Sequence, residues 1–217
     1  MKTVIACVAL VLAGCAGEGP RASCDGSRFE TRQLSPEEVA RLEAHQTEIE
    51  QSSETVGQLS NGLAGIVQKL ISPEGIGVGT VVLAHATPPG VEPLALTKGA
   101  EKSQGFEKKL IGVFGNELIK VSYKISYQYG MKYKGMGQYL ANVKFTPLSV
   151  SSDPLWKIAA EAVSEKPTNA GDVKNVVAQL GFSVTFTAKG LGTRVTTDEF
   201  RINAKSGEME STIRDFE

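Results

Sequence analysis

The residues best suited to chemistry lie in one stretch, 118–152. Lys120, Lys124, Lys132, Lys134 and Lys144 occur there without a single acidic residue. They are interleaved with Tyr123, Tyr127, Tyr129, Tyr133 and Tyr139, which are all the tyrosines of the chain. Residues 28–54, by contrast, hold seven glutamates and three arginines. Lysine neutralises phosphate or carboxylate, and a tyrosine ring stacks on a sugar or a base, so the pattern suits an anionic polymer. Alternation along a half-buried strand accounts for most of it, with tyrosines inward and lysines outward. Tyr133 stands outside that explanation, in a loop between Lys132 and Lys134. The candidate ligand-binding residues are therefore Lys120, Lys124, Lys132, Tyr133, Lys134 and Tyr139.

Other chemistry finds little support. A zinc site needs several His, Cys or carboxylate ligands at suitable spacing. Only His45 and His85 are present, on different elements, and Cys24 stands alone. No metal or other cofactor is implied. A serine or cysteine nucleophile needs a base and an orienting group, and no nucleophile elbow occurs. Gly75, Gly77 and Gly79 lack the helix start that a dinucleotide loop requires. The 24 acidic residues could hold a carboxylate pair for glycoside hydrolysis, but spacing in sequence does not reveal one. Glu37 and Glu38 are explained by a helix N-terminus. A formal net charge of −1 argues against nucleic acid as a partner.

Residues 1–15 point to a location. Lys2 is followed by an apolar segment, 4–12, and then by Leu12-Ala13-Gly14-Cys15. A cationic start, a short apolar run and small residues at a cleavage point are features of an export signal. The run is also too short to span a bilayer as a helix. Leu-Ala-Gly-Cys resembles the lipobox of bacterial lipoproteins. That resemblance implies a signal peptide over 1–14 and lipidation of Cys15, on its thiol and on its new amino group. It also implies a body tethered to a membrane through its lipid anchor. Ala16 after the cysteine, rather than Asp, is similar to the outer-membrane sorting pattern. Cys7 would leave with the signal, so the mature chain would hold no internal disulfide.

The elements that must position the candidate residues follow from periodicity. Residues 15–33, with glycines, Pro20 and serines, suggest a flexible tether. The remainder, 34–217, reads as one domain. Ser35 as N-cap, Pro36 in the first turn and Glu38 closing a capping box start a helix, with Leu34 and Val39 spaced for a hydrophobic staple. Two helices are expected within 35–71, the second carrying an apolar stripe from Val56 to Leu70. Residues 76–150 read as β-rich, with the clearest strand at 118–129 and a return strand at 138–150, its far end marked by Pro147 as an edge or a bulge. Leu155, Ala159, Ala162 and Val163, then Val173, Val176, Val177 and Leu180, predict a two-helix insertion over 153–181. Strands resume over 182–214, where 182–188 alternates strictly and Gly190-Leu191-Gly192 turns the chain. The sum is an α+β domain whose sheet is largely antiparallel, either open or a sandwich.

The functional expectation is a membrane-anchored envelope lipoprotein, a non-catalytic binding or structural module for an envelope component. One alternative is a subunit of an envelope protein assembly that uses the 36–71 helices. Another is a hydrolase acting on the cell wall. The expected partners are the membrane, envelope polymers and envelope proteins.

Overall fold

The computed structural model describes residues 26–50, 67–71 and 81–213. The described chain forms two antiparallel sheets packed face to face. Sheet A runs in the order β1 (Arg28–Leu34), β4 (Ala100–Ile111), β5 (Glu117–Tyr133), β6 (Met136–Ser152) and β3 (Val81–Ala86). Sheet B runs in the order β11 (Met209–Thr212), β10 (Thr193–Asn203), β9 (Ala178–Lys189), β7 (Lys157–Ser164) and β2 (Val67–Ile71). A two-residue strand, β8 (Thr168–Asn169), also pairs with β9. One α-helix is described, α1 (Pro36–Glu50), together with a 3-10 turn at Pro93–Ala95.

The alternating pattern of 118–129 dictates the central strand. Ile119, Val121, Tyr123, Ile125 and Tyr127 are buried on the inner face of β5, and Phe145 and Val143 of β6 lie beside them. From sheet B, β9 contributes Leu180, Phe182, Val184, Phe186 and Ala188, and β10 contributes Phe200 and Ile202. Rings lock the sheets together: Phe106 meets Phe200 edge-on at 5.4 Å, and Tyr123 lies 5.5 Å from Phe186. Each such aromatic pair contributes about 1 kcal/mol beyond its buried area. Tyr127 donates its hydroxyl to the Gly207 carbonyl at 2.9 Å, and burial, with a smaller effect of Tyr129, pushes its phenol up to about 12.

An ion pair crosses this core. Lys108 Nζ on β4 donates to Asp198 Oδ1 on β10 at 2.5 Å, and the Tyr123 hydroxyl donates to Asp198 Oδ2 at 3.1 Å. The ammonium also lies 5.5 Å from the Phe186 ring and 5.9 Å from that of Phe29. Removing one partner of such a pair would strand a charge away from water, so it ties the two sheets in one alignment.

The helix start forms as its residues dictate. The Glu38 N–H donates to Ser35 Oγ at 3.2 Å, and the Ser35 N–H to Glu38 Oε2 at 2.8 Å. Leu34, Val39 and Leu148 form a small cluster with Leu42 on the outer face of sheet A. Val39 approaches Gly105 so closely that a Cβ there would not fit.

Three expectations are corrected. The fold is a β-sandwich with one described helix, not an α+β domain, and the two-helix insertion over 153–181 does not exist. Residues 157–164 form β7, with Ile158, Ala160 and Ala162 buried in alternation. Alanine favours helices, but here the small side chains sit directly opposite Phe186 and Val184 of β9, and packing outweighs propensity. Residues 170–177 form a loop instead of a second helix. Asn169 Oδ1 accepts the N–H groups of Gly171 and Val177, and Asp172 Oδ1 those of Lys174 and Asn175. This local capture of backbone donors competes with helix formation. The third correction concerns the tether: residues 28–33, assigned to it, belong to β1 and pair with β4.

Of the second helix expected within 35–71, residues 51–66 lie outside the described residues, and Val67–Ile71 is strand β2. Residues 1–25, with Cys15 and Cys24, also lie outside them. Pro147 does sit at a register shift of β6, where Ser122 pairs with Ser149 and Tyr123 with Pro147.

Candidate functional site

The six candidate residues divide into two groups along the β5–β6 hairpin. Lys120 and Lys124 point to the outer face of sheet A, as does Lys144, opposite Ser126. There Lys120 and Lys124 meet acids from other elements. Glu107 of β4, only 4% exposed, accepts from Arg32 Nε at 2.8 Å and lies 3.2 Å from Lys120 Nζ and 3.7 Å from Lys109 Nζ. Lys109 in turn pairs with Glu117 at 2.8 Å, and Lys124 pairs with Glu43 of α1. Burial alone would raise the Glu107 carboxyl, but the hydrogen bonds from Arg32 and Lys120 outweigh it and hold the group below the usual carboxylate range. Lys120 and Lys124 are thus neutralised within the fold, whereas Lys144 meets no acid among the described residues.

Lys132, Tyr133, Lys134 and Tyr139 come together at the hairpin tip, about 40 Å from Lys120 at ~3.3 Å per residue. Tyr133 pairs with Met136, leaving Lys134 and Gly135 as a two-residue turn. Their φ values, 49° and 80°, are those of a type I′ turn, which matches the twist of a hairpin and favours glycine at its second position. Tyr133 is therefore the last residue of β5, not a loop residue. It is half-buried against a cluster of Leu96, Met131 and Ala141, together with Val91 and Tyr139. Lys134 Nζ stands 5.2 Å from the Tyr133 ring, within cation–π range. The Tyr139 ring closely approaches Gly137, where a Cβ would meet it at 2.6 Å.

Two flanking segments brace the tip. On one side the Thr97 N–H donates to the Lys132 carbonyl at 2.9 Å, and the Lys132 N–H donates back to Thr97 Oγ1 at 2.9 Å. On the other, the Gln138 N–H donates to the Val176 carbonyl at 2.8 Å. These bonds hold a twisted ribbon that extends beyond β4. Lys132 and Lys134 are exposed, and among the described residues no acid lies within ion-pairing distance of either. Leu94, Met136 and Val173 are exposed close by, on the 3-10 turn at Pro93–Ala95, the hairpin turn and the 170–177 loop. Sequence patterning did not place these three at the site, and assigned Val173 to a helical stripe, because their neighbourhood depends on non-local pairing.

Catalytic geometry is sparse. Among the described residues no three His, Cys, Asp or Glu side chains converge as a metal site would require, and no helix is long and apolar enough to cross a membrane. His85 is half-buried on β3, and its Nδ1 accepts the Asn142 N–H at 3.0 Å, which commits that nitrogen to the fold. Desolvation holds its pKa below the ordinary histidine value, with Glu92 opposing. Comparison of the chain with family models, with curated proteins and with solved structures gives no match.

Proposed function

We propose that the protein is an envelope lipoprotein, anchored in the outer membrane through acylated Cys15. In this reading its sandwich is a non-catalytic module that binds an anionic envelope component through the hairpin tip. One observation carries the proposal: Lys132 and Lys134 are exposed around a braced tyrosine ring, while Lys120 and Lys124 farther down the hairpin are occupied by Glu107 and Glu43. A rigid cationic–aromatic surface suits phosphate or carboxylate groups carried on sugars or lipids. The lipobox-like start supports the location. The assembly alternative has less support, since the described apolar side of α1 is packed on sheet A.

The test is binding of soluble lipopolysaccharide and peptidoglycan fragments to the full chain held in detergent, which occupies the acyl anchor. Lys132→Ala/Lys134→Ala should weaken binding on the order of tenfold, given about 1 kcal/mol per cation near an anionic surface. Tyr133→Leu, which keeps the apolar packing, should weaken it less. Binding of both variants equal to that of the unmodified protein for both materials would falsify the proposal.

A further inference from the structure

The opposite end of the sandwich carries a second unexplained surface. Three tight connections meet there: 112–116 between β4 and β5, 153–156 between β6 and β7, and 190–192 between β9 and β10. The Asp153 N–H donates to the Leu118 carbonyl at 2.8 Å, the Trp156 ring packs against Gly190, and Lys157 pairs with Lys189. Such turns are ordinarily built from polar residues, glycine and proline. Here Phe114 is 94% exposed, Leu191 93% and Leu155 70%, with Val113 also exposed. Internal bonds hold each in place, such as Gly115 N–H to the Gly112 carbonyl at 2.9 Å, Leu155 N–H to Asp153 Oδ1 at 3.0 Å and Gly190 N–H to the Gly192 carbonyl at 2.8 Å. Large apolar side chains held out at rigid tips mark a surface that something covers.

The path of the chain names the occupant. The first described residue, Gly26, is at this same end, against Val113, and Ser27 is fixed to sheet B by Arg194 Nε at 2.9 Å. Gly26 follows Cys15 by eleven positions, a reach of about 36 Å when fully extended. The hairpin tip is farther still by the length of β5, 17 residues or about 55 Å. An acyl group on Cys15 therefore places lipid next to this end and not next to the tip. Lys157 and Lys189, exposed beside the apolar tips, suit anionic headgroups.

We infer that Phe114, Leu155 and Leu191 dip into the bilayer interface and stand the sandwich on end, with the hairpin tip facing away from the membrane. The inference rests on the lipoprotein reading for which surface is near, but not on any ligand of the tip.

The experiment uses the acylated full chain with Cys24→Ser, reconstituted in phosphatidylethanolamine–phosphatidylglycerol vesicles. An environment-sensitive fluorophore is attached to a cysteine introduced at position 114, 155 or 191, or at 94 or 173 as controls at the far end. Lipid-borne quenchers should reduce emission at the three tips at least about threefold more than at the controls. Equal quenching at both ends, or none at the tips, overturns the inference. So does a change at the tips that follows protein concentration in detergent, which would mean a second copy covers them. Intact mass decides the lipoprotein reading separately. If Cys15 carries no acyl group that reading fails, and docking is then judged by sedimentation of the same protein with vesicles. Phe114→Ser/Leu191→Ser should lower the bound fraction roughly tenfold without lowering the melting temperature; an unchanged fraction overturns docking on its own.

Discussion

Glu107 and Lys108 are consecutive on β4, yet the fold puts them to opposite uses. Lys108 turns into the sandwich and meets one carboxylate of the facing sheet in a site closed to water. Glu107 turns outward and collects Arg32, Lys109 and Lys120, all of which keep partial contact with solvent. The inner pair fixes which parts of the two sheets face each other, since any slip would strand both charges. The outer cluster neutralises the middle of a lysine-rich hairpin. The excess of positive charge seen in the sequence is therefore spent at Lys120 and Lys124 and survives at the tip.

The sharpest way to break this contrast is at the inner pair. Lys108→Met should destabilise the protein by about 3–5 kcal/mol, because it leaves Asp198 buried without its cation. Adding Asp198→Leu should recover most of that loss, and chemical denaturation of the two variants measures the difference. A double variant as unstable as the single would mean that packing, not charge, holds the sheets in alignment. At the outer cluster, Glu107→Gln should cost less, about 1–2 kcal/mol, since its partners reach water and exchange their bonds for hydration.

Acid separates the same groups by pH. The Glu107 pKa is depressed in the folded protein, so its contribution is complete above the unfolded carboxylate value and is lost as pH falls through the folded one. Stability should therefore decline below about pH 4.5, and Glu107→Gln should flatten that limb. His85 is also depressed, by desolvation, and is held neutral in the fold with Nδ1 accepting. Its contribution is present above the unfolded histidine value of about 6.5 and fades as pH falls below it. A shallow loss beginning below about pH 6.5 that disappears in His85→Gln would assign that part of the curve.

The strands that sequence made legible are those whose neighbours share one rule. Strict alternation over 118–129 and 182–188, bounded by glycines at 130, 135 and 137 and at 190 and 192, identifies most of β5 and β9 because burial on one face needs nothing beyond local pattern, while the last four residues of β5 read as loop. The segment 153–181 fails the same test. Its alanines satisfy a helical stripe and a strand face equally, and only Phe186 across the ladder decides between them. Half of the candidate site was readable for the same reason. Lys132, Tyr133 and Lys134 are joined by a local turn, whereas the acids that occupy Lys120 and Lys124 arrive from β4 and α1, 13 and 81 positions away. The inward Lys108 did leave a signal, a charge in step with Phe106 and Leu110, but its meaning depends on Asp198 ninety residues later.

The smallest expected effect is also the one that isolates solvent access. Raising monovalent salt from 0.1 to 1 M shortens the screening length from about 10 to about 3 Å. Arg32 and Lys120 reach Glu107 from partly exposed positions, so mobile ions can compete for them. The stability gap between the unmodified protein and Glu107→Gln should then shrink by a few tenths of a kcal/mol. Lys108 and Asp198 admit no ions between them, so the Lys108→Met gap should stay constant over the same range. If both gaps shrink together, water reaches the interior pair, and the two faces of β4 differ in depth but not in kind.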